Sequence, residues 1–469
     1  MKKIFIGLMA LLVSVTLFAE RVSVEDAALV ANNFMRAGSS DSNIKKAVPA
    51  KRMVLKANAS VAEPQYYVYE NADGEGWVII AANDAVTPVL AFSETGHFRT
   101  DNMPENIKHW MGLYDNFIKR IEKDGVEASE GAIEEWNTLR KGQRRATEAT
   151  VIVEPLVKTT WDQDTPYWNK CPGTGSNKAY TGCVATAMAQ VMNFWQWPVK
   201  GSGSHSYRPR DPNDPESYST RYTSTLSANF GNTTYDWANM LDSYSGTSTS
   251  AQKTAVATLM YHCGVGTEMM YGNDEDGGSG TYTVNYLDWD WGVTTSNELG
   301  CAQNALYAFF GYKKEGLTGY MRDGYTESGR KYYDSWTDAN WTAMVKAELD
   351  KQHPIMYGGA SSSGGHSFIC DGYRSDNYFH FNWGWSGSND GYYQLSKLKP
   401  GSGGAGGGSY DFSQDQDVII GIVPDREEPV TAIEQIATPD VKTGKVIENG
   451  QLYIIRNNEK YSVFGQKIQ

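Results

Sequence analysis

Gly364-Gly365-His366-Ser367-Phe368-Ile369-Cys370-Asp371-Gly372-Tyr373, followed by His380-Phe381-Asn382-Trp383-Gly384-Trp385, is the stretch that decides the fold. It reads as two paired strands joined by a short polar turn over Arg374 to Asn377. A histidine opens the first strand behind two glycines, and an Asn-Trp pair closes the second. Paired strands bring facing residues together, so a His ring and an Asn amide can meet there beneath an indole. A base oriented by a third group implies a nucleophile elsewhere in the chain. Five cysteines are available for that role.

The 469 residues suffice for two or three domains, and the 12% aromatic content for sizeable cores. A formal charge of −13 and a pI near 5.1 argue against nucleic acid or an anionic membrane as the partner. Lys2 and Lys3 precede an apolar run from Ile4 to Phe18, then Ala19 and the charged Glu20. Residues 1–19 thus read as a signal peptide, with the product secreted or at the cell surface. The run is shorter than the ~20 residues a membrane span needs. Export permits disulfides, and the odd cysteine count leaves a thiol over; two bridges, one or none all fit. No Cys-x-x-Cys occurs and the His and Cys spacing is not that of a zinc site, so neither metal nor cofactor is expected.

Residues 20–145 form one small α+β domain in this reading. Val24 to Arg36 is helix-like, and Tyr66–Tyr69, Trp77–Ala82 and Val89–Phe92 are strand-like. Ile107, Trp110, Met111, Tyr114 and Ile118 recur at helical spacing, and a further helix covers Ala132 to Arg140. The basic stretch Lys141 to Ala146 reads as a cleavable linker. A larger domain, rich in Tyr, Trp and Gly, runs over 146–424. It contains the glycine-rich segment Gly401 to Ser409 and an acidic one, Asn273 to Gly280, which matches a calcium loop only loosely. Residues 425–469 are a separate tail with strands at Leu452–Ile455 and Tyr461–Phe464.

Thr181-Gly182-Cys183 leads into an Ala/Met-rich run ending at Trp195, which places Cys183 in the first turn of a buried helix. A helix N-terminus favours a thiolate there, and Gly182 would let a substrate backbone come close. Cys301 competes, since Gly300-Cys301 also precedes a helix-like run, Ala302 to Phe310. Cys370 lies in mid-strand, Cys171 in a Cys-Pro-Gly turn, and Cys263 at the wrong end of a helix. Gln163 lies upstream of Cys183 with a side-chain donor for an oxyanion. His262 and His380 read as structural, and Trp385 as either indole cover or core.

Taken together, Thr181 to Gln190, Gly364 to Phe368, His380 to Trp385 and Asp390-Gly391-Tyr392-Tyr393 resemble the streptopain family of secreted bacterial cysteine peptidases. The small domain, through Gly76 to Ile80 and Val89 to Ser93, resembles that family's inhibitory propeptide. The resemblance covers about Glu20 to Pro424. It implies an α+β fold: a papain-like catalytic domain, with a helical half bearing Cys183 and a β-barrel half bearing His366, behind an intramolecular inhibitor. It also implies a hydrophobic preference at the second residue before the scissile bond. In that scheme Cys183 attacks, His366 shuttles the proton, Asn382 orients His366 and Trp383 shields the pair. The Cys183 N–H and Gln163 hold the oxyanion. Protein or peptide substrates and the chain's own propeptide are the implied partners. Thr281 to Leu299, with Trp289 and Trp291, looks like extra sequence relative to the family. The tail, through Asn449 to Leu452 and Tyr461 to Lys467, resembles type IX secretion sorting signals, making the secretion machinery a further partner. An amidase or transamidase using the same Cys-His-Asn set, and an inhibitor or adhesin without catalysis, are the rival classes.

Overall fold

The computed structural model describes residues 20–37, 53–57, 63–72, 75–101, 103, 105–142, 149–285, 300–322, 325–327, 330–333, 336–361, 364–395 and 416–426, and strands between 443 and 468. The expectations for residues 1–19, Gly401 to Ser409 and most of Thr281 to Leu299 lie outside the described residues, as does most of the basic linker. The chain divides into two units, Met1–Pro424 and Asp425–Gln469.

The first unit is built on one antiparallel sheet of eleven strands. In chain order these are β1 (Met53–Ala57), β2 (Tyr66–Asn71), β3 (Trp77–Ala81), β4 (Val89–Ser93), β5 (Val151–Val153) and β6 (Thr318–Met321). They continue with β7 (Ile355–Ser361), β8 (Gly364–Arg374), β9 (Tyr378–Asn382), β10 (Gly391–Gln394) and β11 (Gln416–Ile420). Their spatial order is β1-β2-β3-β4-β10-β9-β8-β7-β11-β6, with β5 paired to the far end of β8. The expected hairpin is therefore present: β8 and β9 pair, with Asn377 left-handed at φ 65° and its N–H donating to the Arg374 carbonyl.

Among the described residues seven helices flank the sheet: α1 (Val24–Ala37), α2 (Glu105–Asp124), α3 (Glu130–Arg140), α4 (Cys183–Trp195), α5 (Ser250–Gly266), α6 (Ala302–Phe310) and α7 (Asp338–Leu349). Period-two alternation along β8 sorts them into layers. Ile369 belongs to the core shared with α4, α5 and α6, while Phe368 and Cys370 belong to the core shared with α2 and α7. Cys183 through Met192 are all buried, so α4 is the central helix of its layer.

The small domain departs from expectation in one respect. It has four strands rather than three, and they extend the sheet of the large domain: Phe92 pairs with Tyr392 and Ala91 with Tyr393. Sequence patterning places apolar residues but does not reveal which edge a strand will pair with. The buried Tyr114 hydroxyl of α2 lies 3.2 Å from both the Leu90 and Gln394 carbonyls, and Tyr378 donates to the Val89 carbonyl across the same seam. Trp110 of α2 inserts among aromatic residues of the large domain. Its ring centroid lies 5.0 Å from Phe381, 5.8 Å from Phe368 and 6.1 Å from Trp383.

The second unit is a four-stranded sheet of Thr443–Glu448, Gln451–Arg456, Glu459–Ser462 and Lys467–Ile468. The expected hairpin is its middle pair, with Tyr453 opposite Ser462, and the flanking strands widen it.

Truncating Trp110 removes a large side chain from a closed aromatic cluster. Trp110→Ala, made in an uncleaved chain that also carries Cys183→Ala, should lose about 3–5 kcal/mol. Urea unfolding of the two proteins measures it; a shift under about 1 kcal/mol would show that Trp110 does not anchor this domain.

Candidate active site

Gly182 caps α4 at φ 87°, a left-handed conformation that L side chains rarely adopt. A Cβ here would lie 2.7 Å from the Met269 Sδ, so the missing side chain faces packed protein. This corrects the expectation that Gly182 clears space for a substrate: conformation and packing require glycine. The Gly182 carbonyl accepts from both the Thr186 N–H and its Oγ1, and Thr186 Oγ1 meets Thr181 Oγ1 at 2.9 Å. The turn carrying Cys183 is thus fixed before any substrate arrives.

Cys183 Sγ accepts a hydrogen bond from the Ser367 N–H at 3.4 Å, so the helix N-terminus abuts β8 one residue beyond His366. Burial pushes the Cys183 thiol up from its ordinary value, and the Asp417 charge adds to this; the N–H groups of Ser367, Val184 and Cys183 itself only partly offset it. Burial and the Asp417 charge thus oppose, and the N–H groups favour, the thiolate expected at this helix N-terminus. The backbone of His366 pairs with Gly359; its side chain lies outside the described residues.

Asn382 is buried opposite Ile369. Its Oδ1 accepts from Gln190 Nε2 at 3.1 Å and from the Gly384 N–H, and its Nδ2 donates to the Thr159 carbonyl at 2.7 Å. Gln190 is fully buried on α4, two turns beyond Cys183. Its Oε1 accepts from Thr159 Oγ1 and from the Trp161 N–H. Sequence reading missed Gln190. The signal was there, an amide embedded among Ala187, Met188, Val191 and Met192, where burial demands a fully bonded partner set.

Gln163 is half-buried, and its carbonyl accepts from the Thr181 N–H, two residues before Cys183. The two segments are thereby tied together at the start of α4. The Trp383 indole lies in the aromatic cluster, 4.4 Å from Phe368 and 5.1 Å from Tyr393, with Trp110 beyond. Trp383 therefore supports the loop from within and touches the small domain.

Cys301 is the N-cap of α6, as its sequence context suggested, but burial pushes its thiol up to about 12. Its described backbone neighbour is Tyr282 rather than the His366 strand. All five cysteines are free and buried. His262 bonds Tyr235 and is lowered by burial to about 4. His380 pairs with the buried Asp371 at 2.7 Å, joining β8 to β9. Each is held by a partner within the fold. In the acidic segment, Arg221 pairs with Glu275 and Asp276, and the Asn273 and Asp276 side chains accept from nearby backbone N–H groups.

With this geometry in hand, the chain defines a class, the cysteine peptidases with an attached inhibitor domain. Residues 161–393 match the Peptidase C10 family and residues 19–118 the Spi protease inhibitor family. The chain belongs to the Peptidase C10 family. It is 31% identical over 439 residues to the thiol protease/hemagglutinin PrtT of Porphyromonas gingivalis, covering 91% of this chain and 45% of that protein. To streptopain of Streptococcus pyogenes it is 29% identical over 375 residues, covering 76% and 80% respectively. It thus spans about half of PrtT and four-fifths of streptopain. The structure resembles a prointerpain A fragment of Prevotella intermedia at a TM-score of 0.57 and 33% identity, covering 80% of this chain and all of that one. The α+β architecture of propeptide plus papain-like domain follows from these likenesses.

Behind Trp383 lies a titratable cluster. Asp390 accepts from the Trp383 N–H at 2.9 Å, and burial raises its carboxyl to about 7. Burial alone would lower His380, but the charge and hydrogen bond of Asp371 raise it. Both folded pKa values lie above their unfolded ones, so the folded state holds these protons to higher pH. The stability from Asp390 is full below about pH 4 and is lost as pH rises through about 7, while that from His380 is full below its ordinary range and is lost above it. The melting temperature of the Cys183→Ala protein should therefore fall from about pH 5 to 8, and Asp390→Asn should flatten that slope. An unchanged slope in Asp390→Asn would remove Asp390 from this role.

Proposed function

We propose that the chain is a secreted cysteine endopeptidase made as a zymogen, in which Cys183 and His366 act as the thiolate-imidazolium pair. The observation that carries this reading is the contact of Cys183 Sγ, at the head of α4, with the strand that bears His366. Release of the inhibitor domain would re-hydrate the barrel face and allow His366 to take the thiol proton. The thiolate then attacks a peptide carbonyl, and the oxyanion is held by the Cys183 N–H and the Gln163 amide. Imidazolium His366 protonates the leaving amine and afterwards activates water against the thioester. Asn382, locked to α4 through Gln190, positions the His366 ring, and Trp383 closes the site from behind.

In this reading residues 1–19 direct export, 20–145 inhibit, 146–424 catalyse and 425–469 sort the protein to the surface by a type IX route. Cleavage falls between Lys141 and Val151, just before β5 joins the edge of β8. The substrates are unfolded or extended protein segments, and the inhibitor domain is the intramolecular partner. Nucleic acid is no partner of so acidic a chain.

Cys183→Ala should lower casein hydrolysis under reducing conditions by at least about a thousandfold and should stop conversion of the purified precursor. Full activity in the mutant would transfer the nucleophile to another cysteine. Conversion that continues in the pure mutant would rule out self-processing.

Deleting residues 425–469 should move the protein from the cell surface or medium to the periplasm in its own host, read by fractionation and immunoblot. Unchanged extracellular yield would dismiss the sorting role.

A further inference from the structure

We propose that the face of Trp385 covered by Arg99, together with the Asp162 carboxyl, forms a subsite for a basic side chain of the substrate, occupied in this precursor by Arg99 of the inhibitor domain. The proposal rests on the peptidase reading above and names a feature of its specificity.

The Arg99 guanidinium carbon lies 4.5 Å from the centroid of the Trp385 ring, and with Arg99 in place Trp385 is nearly buried, at 8% exposure. Arg99 is held as a bound peptide would be. Its N–H donates to Asn389 Oδ1 at 2.6 Å, and its carbonyl accepts from Asn389 Nδ2 at 3.0 Å. The Asn389 N–H donates to the His97 carbonyl, so two residues of the inhibitor domain, His97 and Arg99, are gripped through main-chain groups. Asn389 is fully buried and left-handed at φ 65°, a built feature rather than a surface accident.

The chain around Trp385 lies beside the nucleophile. A Cβ on Gly384 would meet Thr186 Cγ2 at 2.9 Å, one turn into the Cys183 helix. The Ser386 N–H donates to the Trp161 carbonyl, and Ser386 Oγ donates to Asp162 Oδ2 at 2.5 Å. Asp162 Oδ1 accepts from the Gln163 N–H at 2.7 Å, so this carboxyl adjoins the proposed oxyanion residue. The positive charge of Arg99 reaches Asp162, whereas the direct ion-pair partner of Arg99 is Asp101 of its own domain, at 3.3 Å. Removing the inhibitor domain takes away both Arg99 and Asp101. What remains is an uncovered indole face, a carboxyl that has lost its cationic neighbour, and the Asn389 amide ready to accept and donate to an extended backbone. A planar cation on an indole gains most where water is excluded, and the nearby carboxylate adds charge attraction.

The test uses the full-length protein after conversion to its cleaved form. Internally quenched peptides carry Arg, Gln or Glu in turn at each of the positions flanking the scissile bond. At one position kcat/KM should favour Arg over Gln by about tenfold and over Glu by more, with the preference shrinking at about 0.5 M salt. Trp385→Leu and Asp162→Asn should each bring the Arg-to-Gln ratio to within about twofold, and Trp385→Phe should retain part of it. The ratio, rather than the absolute rate, is the readout, so reduced folding yield does not mimic the effect. Equal turnover of Arg and Gln peptides at every position overturns the subsite and leaves the peptidase reading standing. A preference that survives in both variants also overturns it, because the cation then binds elsewhere. Absence of any Cys183-dependent cleavage overturns both.

Discussion

A sheet edge carries a row of unpaired backbone donors and acceptors, and in this protein the edge of β10 is the constraint on which the rest depends. The inhibitor domain satisfies it with β4, and two tyrosine hydroxyls are placed across the joint. Backbone pairing fixes the register to the residue. Trp110 then falls against Phe368, Phe381 and Trp383, the residues that flank the proposed catalytic positions on β8 and β9. Hydrophobic burial holds the domains together, while the strand pairing decides where that burial acts.

The same sheet couples inhibition to the site. β8 carries His366 and Ser367 at one end and pairs with β5, the first strand after the linker, at the other. β9 ends in Asn382, whose amide is fastened to α4 through Gln190. The loop after Asn382 is held from below by Asp390 and from the side by Asn389 and Arg99. Cys183, Asn382 and the small domain thus share one hydrogen-bonded framework. Burial of Cys183 pushes its thiol up, since a charge confined without solvent is disfavoured until a partner base is in place.

Much of this was legible in the sequence because the signals are local. The Ala/Met run after Gly182-Cys183 fixes α4, since helix propensity and an apolar face agree over the whole of Cys183–Trp195. Two short apolar runs around a polar turn specify β8 and β9, and the Ala302 to Phe310 run specifies α6 behind its cap at Cys301. The structural roles of His262 and His380 also followed from position. Gln190 stayed hidden because a buried amide among apolar residues looks like an interruption until its three partners, distant in sequence, are seen. Gly182 was read for the wrong reason because Met269, which it packs against, lies far along the chain.

The sequence by itself determined the elements, the order of cysteine, histidine and asparagine, and the small domain ahead of them, because periodicity and capping act within a few residues. Only the tertiary structure decided that the small domain completes the large domain's sheet, that Asn382 is tied to the helix that Cys183 opens, and that Arg99 lies on Trp385. Each of these joins residues far apart in the chain, and no short-range preference encodes which strand edge or aromatic face will meet. Those choices are made by pairing every buried polar group while closing the core, which is a property of the whole assembled chain.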